Sequence, residues 1–184
     1  MKDVLIILKI TLVGLFTAIV AYPLIHETGH ILATILTGEK FISISWSPTP
    51  NVLCEMNSTD TAALAITSLS GMIFPMIIIL PFAKSTGIIR LSALFVSGIN
   101  VLAAVIGLLV VLLRMNGTVV QNDDITAFIG FTGWLFPALL IMIAMIIAAV
   151  LSLLLFKPRN TILSAMGLSS SFQKHKAKKI AFEQ

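Results

Sequence analysis

Residues 26 to 30 read His-Glu-Thr-Gly-His. On an α-helix, side chains four positions apart share a face, so the imidazoles of His26 and His30 converge on one point. Two neutral imidazole nitrogens at about 2.0–2.1 Å suit Zn²⁺, while Glu27, one position along, reaches a metal-bound water rather than the ion. A metal lowers the pKa of such a water toward about 7, and a neighbouring carboxylate can take its proton as the water attacks a carbonyl. The expected roles are therefore two metal ligands, His26 and His30, and a catalytic base, Glu27. The chain contains three histidines in all. Two of them, with the only glutamate of the apolar stretches, sit together here, and ionisable groups in such a setting are costly and functional by default. A polar cluster that glues helices together, or a proton-relay pair in a transporter, is the competing reading.

A catalytic zinc takes three protein ligands and leaves its fourth position open. Outside the cluster the candidates are Glu39, Glu55, Asp60, Asp123 and Asp124, with His175 in a basic tail. Which of these can reach the histidines depends on how the chain is threaded. Spanning a hydrocarbon core of about 30 Å takes about 20 mainly apolar residues at about 1.5 Å each. Four stretches qualify: residues 4–36, 61–82, 88–113 and 133–156. Their apolar runs are continuous rather than alternating, which excludes a β-barrel and predicts helices.

The basic residues set the expected orientation. With the N-terminus in the cytosol, Lys2, Lys9, Lys84, Arg90, Lys157, Arg159, Lys174, Lys176, Lys178 and Lys179 lie inside, and Lys40 and Arg114 lie outside. That asymmetry is a positive-inside signal and predicts that both termini are cytoplasmic. Lys9 then anchors the inner end of the first span, and His26 follows it by about 26 Å of helix. The histidines are expected in the outer half of the bilayer. Gly38 is the expected helix stop after Thr37. Asp123 and Asp124 open the last segment from that same outer side, whereas His175 falls on the wrong one. One aspartate of the pair is expected to be the third ligand, the plainer alternative being a helix N-cap.

Composition agrees with this threading. The 184 residues carry 12 basic and 8 acidic side chains, a net charge of +4, and 58% are hydrophobic; mean hydropathy is +1.05. A soluble domain of this size has too few interior positions for so much apolar surface. A soluble enzyme, a disordered chain and a disulfide scaffold are all excluded, the last because Cys54 is the only cysteine. No nucleic-acid partner is expected, because the basic residues fall where membrane orientation requires them. Met1 to Ala21 has the basic start and apolar middle of a signal peptide. However, Ile19 is a poor residue ahead of a small-residue cleavage site and the apolar pattern continues past Tyr22, so the segment is read as part of the first span.

Two further segments matter. Phe41 to Met56 alternates apolar and polar residues around the turn-forming Ser-Pro-Thr-Pro-Asn, which predicts a short β-hairpin or re-entrant strand pair. Asn116 to Asp124 is an outer loop. The expected architecture is an all-α integral membrane protein with four transmembrane helices and a short strand pair after the first. A single membrane-embedded domain fills residues 1–168, and residues 169–184 form a basic cytoplasmic tail, read as solvated and topology-setting, with anionic-lipid binding as the second option.

This order of motifs resembles the site-2 protease class of intramembrane zinc metallopeptidases (the M50 and M50B-like peptidases). The resemblance runs from about Tyr22 to Gly133, in motif order rather than in continuous identity. YPLIHETGHILATILTG is similar to the family's first motif, and DITAFIGFTG, residues 124–133, to the form some smaller members use around the third ligand. It implies zinc held by His26, His30 and Asp124, with Asp123 as the alternative, and Glu27 as the base. The larger members' asparagine-proline segment ending in Leu-Asp-Gly is missing from this sequence, as is a PDZ-like domain. Asn100 could stand in for the family's asparagine at the substrate site, or form an interhelical hydrogen bond. Ser70-Gly71 could permit close helix approach, with substrate access the second option.

The expected activity is zinc-dependent cleavage of a membrane-associated protein or peptide within the cell membrane, the substrate adding as a strand to the hairpin edge. Two rival classes remain: a transporter or channel subunit moving protons or metal ions through the cluster, and a catalytically silent metal-binding partner. Lack of an internal repeat counts against the transporter. A di-iron oxygenase is excluded because three histidines are too few.

Overall fold

A computed structural model describes residues 2–46, 50–55, 59–118, 120 and 124–166. Helix α1 (Lys2–Phe16) runs through a π-helical turn (Thr17–Ala21) into α2 (Tyr22–Thr37) with no break between them. The wide turn lies immediately ahead of Pro23, which has no N–H to give to the preceding turn and whose ring crowds it. Helix α2 ends at Gly38, in the left-handed conformation at φ +78°, as expected of a helix stop.

The hairpin follows. Strand β1 (Lys40–Trp46) pairs antiparallel with β2 (Pro50–Glu55), with a bulge at Ile42 between the Phe41–Cys54 and Ser43–Leu53 pairs. Helix α3 (Thr61–Ile78) starts at an Asp60 cap and passes through a 3₁₀ turn (Leu80–Lys84). Helix α4 (Gly87–Met115) is the longest, α5 (Asp124–Thr132) is short, and α6 (Leu135–Leu155) follows after a break at Gly133-Trp134. Helix α7 (Pro158–Ala165), which the hydropathy pattern gave no reason to expect, packs back on α4.

Four helical stretches are long and apolar enough to cross a membrane: Val4–Thr37, Thr61–Lys84, Gly87–Met115 and Leu135–Leu155. They match the four expected spans to within a few residues. The outward faces of these helices are largely apolar; Val4, Leu12, Phe136 and Leu154 are each more than half exposed. Such a surface is an aggregation hazard in water and ordinary in lipid.

The core has two parts. Ala104, Val111, Ile125, Phe128 and Met142 centre one cluster, joining α4, α5 and α6 to Leu69 and Met72 of α3. Leu91, Val96 and Phe156 centre the other, nearer the Lys84–Arg90 end of α4. Helix α2 lies mainly against α3, and a glycine permits the contact. A Cβ built on Gly29 would stand 2.5 Å from the Ser70 carbonyl oxygen and 2.8 Å from Phe74 Cβ. Ser70 and Gly71 therefore serve close helix approach.

Because the obstacle at Gly29 is backbone, it cannot rotate away. Gly29→Val is expected to destabilise the protein by about 1–3 kcal/mol, the usual cost of overpacking. Gly98→Ala, where the new methyl meets nothing within 4 Å, should stay within about 0.5 kcal/mol. Unfolding midpoints in detergent, compared between the two, check this.

Candidate metal centre

The cluster is assembled from α2, α3 and α5. His26 and His30 lie one turn apart on the face of α2 that meets α3, with ring centroids 5.0 Å apart and planes at 74°. Asp124, the first residue of α5, enters from the other side. Its Oδ2 is 3.1 Å from His26 Nε2 and its Oδ1 is 3.3 Å from His30 Nε2. The two Nε2 atoms are 3.3 Å apart. Ligand atoms about 2.0–2.1 Å from a tetrahedral ion stand about 3.3–3.4 Å from one another. These separations are close to that spacing, although the two imidazoles face different oxygens of Asp124, and this group can hold a metal ion.

The hydrogen bonds around His30 settle what its inner nitrogen is. Nδ1 lies 2.8 Å from the main-chain carbonyl oxygen of Thr67 on α3. A carbonyl only accepts, so Nδ1 carries the proton and, in the neutral ring, Nε2 presents a lone pair to the cluster. That lone pair faces a carboxylate oxygen and a second imidazole, an arrangement suited to a cation or a shared proton between them. Ser70 Oγ, 3.3 Å from the same Nδ1, adds a second polar neighbour. His26 is held differently: its Nδ1 has no hydrogen-bond partner among the described residues, and neither has the hydroxyl of Tyr22, whose ring lies one turn earlier, 6.1 Å away.

Asp124 is placed by its neighbours in the chain. Ile125 and Phe128, each 1% exposed, anchor α5 in the core. Thr126 Oγ1 donates to the Val120 carbonyl, tying the helix to the segment before it. Asp124 lies outside the four long apolar helices. Burial would push its carboxyl up, but the contacts with His26 and His30 outweigh this and hold it well below the usual carboxylate range. It is an anion at neutral pH.

Glu27 lies beside the cluster rather than in it. Its Oε2 accepts the main-chain N–H of Val52 on β2 at 2.9 Å. The edge of β2 that does not pair with β1 therefore faces the metal centre. Two cavities meet there, of about 350 and 470 Å³, and both are lined by Glu27, Asn51 and Asp124. His26 belongs to the first and His30 to the second.

The other expected ligands lie elsewhere. Asp60 caps α3 by accepting the Ala62 N–H. Glu55 pairs with Lys40 at 3.6 Å. Asp123, His175 and the tail fall outside the described residues. Asn100 is 1% exposed in mid-α4 with neither amide atom partnered, so it forms no interhelical hydrogen bond to a described residue. Nor does it line either cavity, although it shares the face of α4 that carries Ala103 and Gly107. Sequence reasoning passed over Thr67, Val52 and Asn51. The first two act through main-chain atoms, which no side-chain pattern reveals, whereas Asn51 is the last residue of the turn-forming segment and could have been flagged.

Gly71 is the clearest sequence-visible determinant. A Cβ there would run into His30 Nε2 and approach His26 Nε2 to 2.7 Å. Gly71→Ala is expected to weaken metal binding by about 10–100-fold, the scale of losing a ligand-orienting contact. His30→Ala and Asp124→Ala should lose the ion outright. Metal content by mass spectrometry on purified protein checks all three. No protein family, no curated protein and no solved structure matches this chain.

Proposed function

We propose that this protein is a zinc endopeptidase embedded in the membrane, with Glu27 as its catalytic base. The observation that carries the reading is the division of labour among four side chains. Three donor atoms, two imidazole nitrogens and a carboxylate oxygen, converge at metal-ligand spacing. The fourth group, Glu27, is held at their side by Val52 and opens onto both cavities. Two histidines and one carboxylate are a catalytic rather than a structural zinc set, because a fourth position stays open to water and substrate.

Bound zinc would supply Lewis-acid polarisation of a peptide carbonyl and a more acidic water. Everything else falls to the chain. Glu27 takes a proton from the attacking water as the new carbon–oxygen bond forms. It returns that proton to the departing nitrogen as the carbon–nitrogen bond breaks. Val52 fixes the carboxylate by binding one oxygen and leaves the other free. The free edge of β2 aligns an extended substrate by main-chain hydrogen bonds, holding the scissile carbonyl over the cluster. A helical substrate must first unwind there, because its own carbonyls are otherwise taken by the i→i−4 ladder.

The proposed substrate is accordingly a membrane-associated protein or peptide with a segment that can be drawn into extended form. The proposed topology keeps both termini in the cytoplasm, with the metal centre in the outer half of the bilayer. In this arrangement the hairpin lies near the outer surface and the cavities are reached from within the membrane or from its outer face.

Glu27→Gln should retain about one zinc per chain and reduce cleavage by about 10²–10⁴-fold, the usual contribution of a positioned base. Cleavage of membrane-anchored reporter peptides in reconstituted vesicles, with metal content measured on the same preparation, is the test. A variant that cleaves at the parental rate would remove the water-activating role.

A further inference from the structure

The two cavities that meet at the metal centre differ in chemistry, and that difference bears on which peptide bond is taken. The larger one runs beneath β2 and includes Cys54, Thr67, Ser68 and the edge of Phe131. Beyond His26, Glu27, Asn51 and Asp124, the smaller one is lined by apolar groups: Met72 of α3, Ala103, Ile106 and Gly107 of α4, and Ile125 of α5. Gly107 is tightly packed: a Cβ there would meet Met142 Sδ at 2.6 Å, Ile125 Cγ1 at 3.3 Å and the Met72 methyl at 3.5 Å. The apolar side of the cavity is thus backed by two thioethers and an isoleucine. Methionines adapt their shape but offer no charge partner.

We infer that the Met72–Ala103–Gly107–Ile125 pocket is a specificity subsite that takes one aliphatic side chain of the residue flanking the scissile bond. This rests on the endopeptidase reading of the site. A substrate strand lying along β2 and crossing the His26–His30–Asp124 cluster presents successive side chains to opposite faces. One side chain next to the reacting carbonyl is then directed to the smaller cavity. An aliphatic group there exchanges water for apolar contact. A carboxylate there would lie beside Glu27 and Asp124, like charges that disfavour it. Ala103 sets the width: it is partly exposed on the cavity wall, where a larger side chain would project into the space.

Peptide hydroxamates bind a zinc ion directly and so report on the subsite without turnover. The full chain, purified in detergent and loaded with zinc, is titrated with hydroxamates carrying leucine, glycine or aspartate beside the metal-binding group. The leucyl compound should bind about tenfold or more tighter than the glycyl compound, and the aspartyl compound weakest. Ala103→Phe, with zinc content still at one per chain, should erase the leucyl preference. Ala103→Leu should reduce it partway, and it replaces the phenylalanine variant if that loses zinc. Equal binding of leucyl and aspartyl compounds by the parent protein, or an undiminished leucyl preference in a zinc-loaded Ala103→Phe, overturns the subsite. Mapping of cleaved bonds separates this from the wider reading. A leucyl preference without any Glu27-dependent cleavage sinks the endopeptidase assignment and leaves the pocket standing. Glu27-dependent cleavage indifferent to the flanking side chain does the reverse.

Discussion

The carbonyl of Thr67 takes the Nδ1 proton of His30, and much of the site follows from that one hydrogen bond. It fixes the tautomer and turns the Nε2 lone pair inward, onto the same point as His26 Nε2 and the Asp124 carboxylate. An imidazole lone pair beside a carboxylate attracts a cation, and in an apolar setting that attraction is poorly screened. The low dielectric strengthens any cation–donor contact made there. A metal ion held here would tie α2 to α5, and by linkage would stabilise whatever conformation holds the three side chains together.

Close packing of α2 on α3 is the condition for that hydrogen bond. Gly29 lets the Ser70 carbonyl approach, and Gly71 leaves room for both imidazoles. Thus α3 contributes no metal ligand, yet it supplies both the orienting carbonyl and the space. In a membrane, where lipid is as apolar as leucine, helices associate through such close backbone approach rather than through hydrophobic burial. The site and the helix contact are one construction: a β-carbon at either glycine would disturb both.

Much of this was legible in the residues. The four spans followed from the length of apolar runs, the hairpin from alternation around two prolines, and the end of α2 from Gly38. The spacing of His26 and His30 was enough to place both imidazoles on one face. Asp124 was the limit of side-chain reasoning: two adjacent aspartates have the same chemistry, and only the fold could bring the second one's oxygens to 3.1 and 3.3 Å from the ring nitrogens. Thr67 and Val52 were invisible for a different reason. Their contributions are a carbonyl and an amide, which every residue but proline can offer, delivered across 37 and 25 positions of sequence. The π-helical turn before Pro23 was hidden because proline announces a disturbance without specifying its form.

Glu27 illustrates how position within a motif can assign a role. Sharing α2 with the histidines, it is one residue from His26 and therefore turned about 100° from that ligand's direction. A carboxylate so displaced reaches the flank of the cluster instead of its centre, where Asp124 already supplies the third donor. Val52 then occupies one of its oxygens. Strand β2 is consequently coupled to the carboxylate by a main-chain bond while its free edge faces the same cleft. An extended chain seated on that edge would be registered against the carboxylate and the cluster by the same strand. Alignment and proton transfer would then depend on one piece of backbone, so a shift of the hairpin would disturb both together.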